Sequence, residues 1–189
     1  MPNYCNYSMC VVGKQRENVE EFIKVIQADY DYGKMEFSCD RHLFRVFEAE
    51  CNEIEKRDDG TFEVVINGYC AWSIASCMFD GGYYRSFKEE YGSNSRGTTL
   101  FIESKKLNLN IEVYSEESGM CFQEHYIIMN GELTCEESVD WEEVWVEDYE
   151  TKEEAEEDLE ITITDEEWAI GLEEGYFTRG GFENWDFEI

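Results

Sequence analysis

The chain has 189 residues with 45 acidic and 15 basic side chains, which give a formal net charge of -30. Its length suits one domain, with or without an appended subdomain, and its hydrophobic content of 42% is enough for a core, which excludes wholesale disorder. The charge far exceeds the roughly 2 to 8 units that keep a small domain soluble, and it disfavours direct binding to nucleic acid or to an anionic membrane. The charge favours a basic protein partner, with a halophile's solvation strategy as the alternative.

Eight cysteines raise the question of a disulfide framework. The first residues lack the basic start and the apolar run of a signal peptide, and no stretch is long enough to span a bilayer. We therefore predict free, buried thiols and a location in the reducing cytoplasm of a host cell. Most of the cysteines fall inside apolar strand or helix patterns. The eight are Cys5, Cys10, Cys39, Cys51, Cys70, Cys77, Cys121 and Cys135.

Apolar alternation, helical periodicity and turn signals divide the residues before Leu107 into three strands and three helices. Val19, Phe22 and Ile26 recur at helical spacing, and Glu103 is expected on the exposed side of the third helix. The predicted elements are a strand over 4–12 ended by Gly13, a helix over 16–29, a loop over 30–41, strands over 42–55 and 61–69 joined by a turn at 57–60, a short helix over 71–79 ended by Gly81-Gly82, a loop over 83–97, and a helix to Leu107 capped by Thr98 or Thr99.

The run from Leu107 to Cys135 predicts a β-meander. Leu109, Ile111 and Val113 alternate with polar residues, as in a half-buried strand. A turn at 117–119 leads to a second strand over 121–129. The dipeptide Asn130-Gly131 favours a tight hairpin turn, and residues 132–135 are the predicted returning strand.

The element order is strand, helix, strand, strand, helix, strand and then a hairpin. This is the split βαβ arrangement of a ferredoxin-like α+β sandwich with an antiparallel sheet. Three segments resemble the YubB ferredoxin-like family of small phage and plasmid proteins: MPNYCNYSMCVVG at the start, GYCAWSIASC over 68–77 and IEVYSEESGMCFQEHYIIMNGE over 111–132. The resemblance covers roughly residues 1–136. It implies the fold and a mobile-element setting, and it brings no catalytic residues.

The composition changes after Cys135. Residues 136–189 carry about 22 acidic and two basic side chains, so about -20 of the net charge lies there. We therefore predict a ferredoxin-like domain over residues 1–136 and an acidic, aromatic-containing extension over residues 137–189 that packs on this domain.

Apolar patterns indicate that the extension is folded. Trp141, Trp145 and Tyr149 recur at the spacing of one helix face. Residues 159, 161 and 163 alternate as in a strand. The sequence from Thr164 has a capping-box pattern and predicts a short helix that contains Trp168 and Leu172 and stops at Gly175.

Metal binding and nucleophilic catalysis have little support in the sequence. Cys39 and His42 are close together, but no second ligand pair completes a zinc site, so we interpret them as a loop cysteine and a surface histidine. Cys121 and His125 would share one face of a strand about 13 Å apart, which is too far for a thiolate–imidazole pair. Glu124 is interpreted as an exposed strand residue. We predict no catalytic residue, no metal and no cofactor.

The acidic surface is the remaining signal. Proteins that grip duplex DNA, which carries a negative charge about every 1.7 Å, line a groove with Lys and Arg, and dense carboxylates could occupy that groove. We therefore expect an anti-CRISPR or other anti-defence protein of phage or mobile-element origin. It would be a non-enzymatic, monomeric DNA mimic that binds the basic groove of a host nuclease, with a CRISPR effector as the target class, and blocks DNA or guide RNA. The predicted partner-binding residues are Glu142, Glu143, Glu147, Asp148, Glu153, Glu154, Glu156, Glu157, Asp158, Asp165, Glu166, Glu167, Glu173, Glu174, Trp141 and Trp145.

Two other functions remain open. A non-catalytic interaction or regulatory module of a mobile element, whose acidity serves solubility alone, predicts no tight basic partner. An unrecognised enzyme predicts a defined pocket around His42, His125 or a cysteine.

Overall fold

The computed structural model describes residues 3–34, 36–79 and 95–189. The chain divides into two compact units. The core unit comprises the described residues up to Ser138 together with Asn184–Ile189, and the acidic unit comprises Val139–Glu183.

The core unit is dominated by strands, and a π-helical turn at Ala75–Phe79 follows β7. Its elements in chain order are β1 (Tyr4–Gly13), α1 (Arg16–Ile26), β2 (Tyr30–Asp31), β3 (Glu36–Phe37), β4 (Arg41–His42), β5 (Val46–Cys51), β6 (Glu55–Lys56), β7 (Phe62–Ala71), β8 (Arg96–Gly97), α2 (Leu100–Leu107), β9 (Leu109–Glu117), β10 (Phe122–Met129) and the first part of β11 (Glu132–Trp145).

The large sheet of the core unit is antiparallel, with the strand order β11-β10-β9-β1-β7-β5, and β6 also pairs with β7. β1 lies near its centre, where Val11 is opposite Val64 of β7 on one side and Ile111 of β9 on the other. Asn130 and Gly131 both have positive φ and turn the chain from β10 into β11, as the dipeptide predicts. The structure therefore confirms an α+β protein with a large antiparallel sheet.

The apolar core packs one face of this sheet against α1 and α2. Phe22 of α1, Leu100 of α2, Met9 of β1 and Ile111 of β9 belong to one cluster of fully buried side chains. Thr99 caps α2, since its hydroxyl accepts the backbone N–H of Ile102.

The C-terminal segment Asn184–Ile189 covers part of the opposite face of the sheet. The ring of Tyr114 stacks on Trp185 at 5.9 Å, and the Tyr114 hydroxyl donates to the backbone carbonyl of Asp186. Arg57 donates to the terminal residue, Ile189, at 2.7 Å. Polar side chains on this face of β9 and β10 are therefore buried, although the face lies away from the apolar core.

The acidic unit contains the rest of β11 and three further elements, which are α3 (Lys152–Leu159), α4 (Asp165–Glu174) and β12 (Tyr176–Gly180). β12 pairs antiparallel with the end of β11, from Trp141 opposite Gly180 to Trp145 opposite Tyr176. The unit has a small apolar core, formed by Val144, Val146, Ala155, Ile163 and Phe177, with Tyr149, Ile161 and Trp168 packed against it.

Several predicted elements differ from the structure. Trp141 and Trp145 lie on β11 and not on a helix, because β12 offers this segment a strand partner that the local spacing does not reveal. Leu159 ends α3, and residues 161–163 are not in a strand. The predicted strand over 42–55 is divided into β4, β5 and β6, with Arg45 at a positive φ between the first two.

Four further differences concern shorter segments. α1 ends at Ile26, before the predicted end at residue 29, and the predicted loop over 30–41 contains the β2–β3 ladder. The predicted helix over 71–79 is a π-helical turn, and Trp72 has a positive φ before it. Cys121, the predicted first residue of β10, lies in the preceding turn at φ 55°. Gly81-Gly82 and most of the predicted loop over 83–97 lie outside the described residues.

Two carboxylates that we expected at the surface are buried. Glu103 is 0% exposed and accepts hydrogen bonds from Arg41 at 3.0 Å and from Thr98 at 2.7 Å. Glu124 is 7% exposed and accepts from the hydroxyls of Ser115 and Tyr126. Both carboxylates are stabilised by tertiary partners, which allows their burial.

Candidate functional site

The acidic unit presents most of its carboxylates to solvent. Its 45 residues include 18 acidic and two basic side chains, so it carries -16. Of the 14 acidic residues predicted to bind a partner, Glu156 and Glu167 are half-buried and the other 12 are exposed. They come from four places: Glu142 and Glu143 on β11, Glu147 and Asp148 in the following turn, Glu153, Glu154, Glu156, Glu157 and Asp158 on α3, and Asp165, Glu166, Glu167, Glu173 and Glu174 on α4.

Both helices of this unit are capped, which fixes the carboxylates on ordered elements. The Thr151 hydroxyl accepts the N–H of Glu154 at the start of α3. Thr164 and Glu167 form a reciprocal capping box at the start of α4, and Gly175 ends that helix at φ 90°. The sequence pattern from Thr164 to Gly175 is therefore confirmed.

Only two of these carboxylates have a basic partner within residues 139–183, all of which the structure describes. Lys152 pairs with Asp165 at 2.7 Å, and Arg179 pairs with Glu167 at 2.9 Å. The Arg179 guanidinium, which also donates to the carbonyl of Thr162, lowers the pKa of Glu167 to about 2. Both basic side chains of the unit are therefore occupied, and its other carboxylates have no basic partner within residues 139–183.

Helix stability accounts for some of the acidic positions and not for others. Glu153 and Glu154 lie in the first turn of α3 and Asp165 in that of α4, where negative charge interacts favourably with the helix dipole. Glu173 and Glu174 lie at the C-terminal end of α4, where the dipole disfavours a carboxylate. The last turn of neither helix in this fully described unit contains a basic residue.

Trp145 provides an apolar contact surface among the carboxylates. It is 52% exposed and packs on the ring of Tyr176 at 4.9 Å, whereas Trp141 is half-buried. A groove of about 340 Å³ runs past Trp145 and is lined by Glu142, Glu143, Val144, Asp148, Tyr149, Leu159 and Ile161. An aromatic wall beside several carboxylates is suited to a cationic side chain.

His42 is buried, so our interpretation of a surface histidine was wrong. Its ring stacks on Phe37 at 3.9 Å, and its Nδ1 lies 2.8 Å from the hydroxyl of Ser95, which is itself 1% exposed. Burial lowers the pKa of His42 to about 4. These contacts join the short strands β3 and β4 to Ser95. They give His42 a structural role in packing these segments together.

His125 lies in a polar cluster that the sequence did not reveal. The residue is on β10 and stacks on its cross-strand neighbour Tyr114 at 4.0 Å. Its Nε2 is 2.9 Å from Glu112 of β9, which is 0% exposed. The second oxygen of Glu112 accepts the backbone N–H groups of Glu188 at 2.6 Å and Ile189 at 3.1 Å. The Glu112 carboxylate is therefore fixed against the imidazole by the C-terminal segment.

The other ring nitrogen of His125 faces two side chains of β11. Its Nδ1 is 3.3 Å from a carboxylate oxygen of Glu137 and 3.8 Å from Sγ of Cys135. Burial, together with Glu137 and Glu112, raises the pKa of Cys135. Burial and the same carboxylates raise the pKa of Tyr114 to about 12.

Cys135 is the cysteine beside His125, whereas the sequence suggested only Cys121, a pairing that we rejected because of its distance. Cys121 lies in the turn before β10, where its thiol donates to the carbonyl of Ser118. Our predicted returning strand ended at Cys135, whereas β11 continues to Trp145. Alternation along this longer strand places Cys135 and Glu137 on one face. The pairing of β9, β10 and β11 then brings them to His125, which only a known register could have predicted.

None of the eight cysteines forms a disulfide, and Cys5, Cys10, Cys70 and Cys77 are buried while the other four are half-buried. No helix among the described residues has both the length and the apolar character needed to cross a membrane. The chain matches no protein-family model, no curated protein and no solved structure.

Proposed function

We propose that the protein is a non-catalytic inhibitor, encoded by a phage or another mobile element, that mimics nucleic acid. The acidic unit binds the basic groove of a host defence nuclease, a CRISPR effector in our proposal, and excludes DNA or guide RNA from it. The observation that carries this proposal is the acidic unit itself: 18 carboxylates are held on a folded scaffold, and only two of them pair with a basic side chain of the unit.

The positions of the carboxylates support a binding role beyond helix stability. Carboxylates at the C-terminal end of α4 oppose the helix dipole at a cost of about 0.3–1 kcal/mol each at low salt. A sequence selected only for a stable helix would place Lys or Arg there. A surface that binds a basic groove gains from the same carboxylates, because complementary potential accelerates association and orients the partner.

The exposed Trp145 supports a defined contact within this surface. A purely solvating surface gains nothing from an indole that is 52% exposed among carboxylates. Arginine side chains are abundant in nucleic-acid grooves, and a guanidinium could enter the groove beside Trp145 with its charge near Glu142 and Asp148. We propose Trp145 as the aromatic anchor of the interface.

The ferredoxin-like assignment of the core unit is part of the same proposal. The order β9-β1-β7-β5, all antiparallel, supports it, as does the placement of α1 between β1 and β5 and of α2 between β7 and β9. The phage or plasmid origin and the YubB relationship rest on the resemblance of the three sequence segments. The cytoplasmic location rests on the eight free thiols.

The test is displacement of labelled DNA from a purified CRISPR effector by the full-length protein, followed by fluorescence anisotropy at low and high salt. Reversal of Glu157, Glu166 and Glu173 to Lys changes the charge by six units without touching a capping or ion-pairing residue. Reversal of Glu17, Glu50 and Glu53 to Lys in the core unit changes the charge equally and is the matched control.

The proposal predicts that the first triple variant loses displacement by more than about tenfold, that the control retains it, and that high salt weakens the wild-type protein. Equal losses in the two variants would indicate a general effect of net charge. If neither variant changes displacement, or if the wild-type protein displaces no DNA, the mimic proposal fails and the solubility interpretation is favoured.

A further inference from the structure

Three potential metal ligands converge beside β10, in the core unit. Nδ1 of His125, Sγ of Cys135 and a carboxylate oxygen of Glu137 all lie within 4.8 Å of one another. They are an imidazole nitrogen, a sulfur and a carboxylate oxygen, which are the three donor types that proteins use for Zn²⁺. The paired strands β10 and β11 hold all three.

Two of the three separations, those from Nδ1 of His125, are close to the edges of a metal-centred tetrahedron. With Zn–N and Zn–O bonds of about 2.1 Å and a Zn–S bond of about 2.3 Å, the N···O edge is about 3.4 Å and the N···S edge about 3.6 Å. The observed N···O and N···S separations are 3.3 Å and 3.8 Å. One ion can therefore contact both pairs with movements of a few tenths of an ångström.

Glu112 orients the imidazole for this role. A carboxylate can only accept a hydrogen bond, and Glu112 accepts at 2.9 Å from Nε2 while its other oxygen is held by two backbone N–H groups. This fixes the proton of a neutral His125 on Nε2 and leaves the Nδ1 lone pair directed at Cys135 and Glu137. Metal-bound histidines commonly have such a carboxylate partner.

Two other interpretations explain less of this geometry. A protonated His125 could bridge Glu112 and Glu137, but this leaves the thiol of Cys135 without a role. A Cys135–His125 nucleophilic pair would need a stabilised thiolate, whereas the neighbouring carboxylates Glu112 and Glu137 supply negative charge next to it. A divalent cation uses the thiol, the imidazole and the carboxylates together.

We propose that His125, Cys135 and Glu137 bind one Zn²⁺ ion, with Glu112 as the positioning residue and the fourth position open to water or an external ligand. Binding releases the thiol proton of Cys135 to solvent, and no electron is transferred. The site is independent of the proposed inhibitor function, because its residues belong to the core unit and its readout is metal binding.

The test titrates the full-length protein with Co²⁺ and with Zn²⁺ in an excess of Mg²⁺, which occupies weak carboxylate sites. Thiolate coordination gives Co²⁺ an intense near-ultraviolet charge-transfer band, and competition with a chromophoric chelator gives the Zn²⁺ affinity. We expect one equivalent per chain. Cys135→Ser should abolish the band and weaken Zn²⁺ binding more than about 100-fold, and Glu137→Gln and Glu112→Gln should weaken it about 10- to 100-fold.

The chain offers two matched controls. Cys121→Ser changes another half-buried thiol, and Glu136→Gln changes an exposed carboxylate next to Cys135. Both should bind as the wild-type protein does, and circular dichroism of the metal-free variants checks their folding. The proposal is overturned if the wild-type protein shows no charge-transfer band, or if Cys135→Ser and Cys121→Ser bind equally. It is also overturned if Cys135 is alkylated faster than Cys121 in a His125-dependent manner without metal binding.

Discussion

The core unit and the acidic unit use carboxylates in opposite ways. In the core unit Glu103, Glu112 and Glu124 are buried. Each accepts a hydrogen bond from a residue distant in sequence, which is Arg41 for Glu103, Glu188 for Glu112 and Ile74 for Glu124. In the acidic unit, 12 of the 14 predicted binding carboxylates are exposed. Two of the 14, Asp165 and Glu167, pair with a basic side chain of the unit. Carboxylates of the first kind fix tertiary structure, whereas most of the second kind face solvent.

The two units also differ in the size of their apolar cores. The core unit buries side chains from β1, α1, β7, α2 and β9 in one cluster. The acidic unit has five buried apolar residues, and Phe177 is the largest of them. The structure that presents the carboxylates therefore depends on few buried side chains.

The largest effect is expected from Phe177→Ala. Phe177 is 2% exposed, and removing its ring from a core of five residues should lower the stability of the acidic unit by about 3–5 kcal/mol. Hydrogen exchange resolved by peptide should show lost protection in α4 and unchanged protection in β1. Leu172→Ala, on α4 of the same unit and 66% exposed, is the control and should have little effect. If Phe177→Ala lowered hydrogen-exchange protection equally in both units, the two apolar cores would not be independent of each other.

Glu103→Ala should have a comparable effect in the core unit. It removes the buried partner of Arg41 and should lower the free energy of unfolding by about 3–5 kcal/mol, near the lower end because Arg41 retains Glu21 at 2.9 Å. Urea denaturation measures the change. Glu157→Ala, at an exposed position of α3, should leave the midpoint unchanged. Similar midpoints for the two variants would contradict the distinction between buried and exposed carboxylates.

His42 should make the stability of the core unit depend on pH. Burial lowers the pKa of His42 to about 4 from its ordinary value of 6.5, so the unfolded chain binds this proton first as the pH falls. The contribution of His42 is complete above about pH 6.5 and declines by up to about 3 kcal/mol by pH 4. Urea denaturation of the wild-type protein and His42→Gln between pH 4 and 8 should show a difference that shrinks on acidification. Parallel pH profiles would contradict a buried neutral imidazole.

The smallest effect is expected from Thr164→Ala. It removes the hydroxyl that accepts the N–H of Glu167 at the start of α4 and should destabilise the acidic unit by about 1 kcal/mol. Thermal unfolding followed by tryptophan fluorescence can detect the change. Thr162→Ala, whose side chain is exposed outside the helix, should not lower the transition temperature. A larger loss in Thr162→Ala would place the stabilising contact outside the cap.

Local sequence signals predicted elements that depend on neighbouring residues. The Asn130-Gly131 turn, the Thr164 capping box and the apolar spacing of α1 each act within a few residues, and each is found in the structure. The helix predicted around Trp141 and Trp145 was wrong because the decisive contact is distant in sequence. Their spacing fits a helix, but β12, some 35 residues away in sequence, provides a strand partner.

Composition and contacts within one turn or one strand specify the α+β class, the hairpin, the concentration of negative charge after Cys135 and most of the capping, so these features were predictable from the sequence. Tertiary structure decided which carboxylates are buried and which histidine meets which cysteine. Glu103 is buried because Arg41 reaches it, and His125 meets Cys135 because strand pairing brings β10 and β11 together. Burial of a charged group depends on partners distant in sequence, and one sequence does not show how its strands are paired.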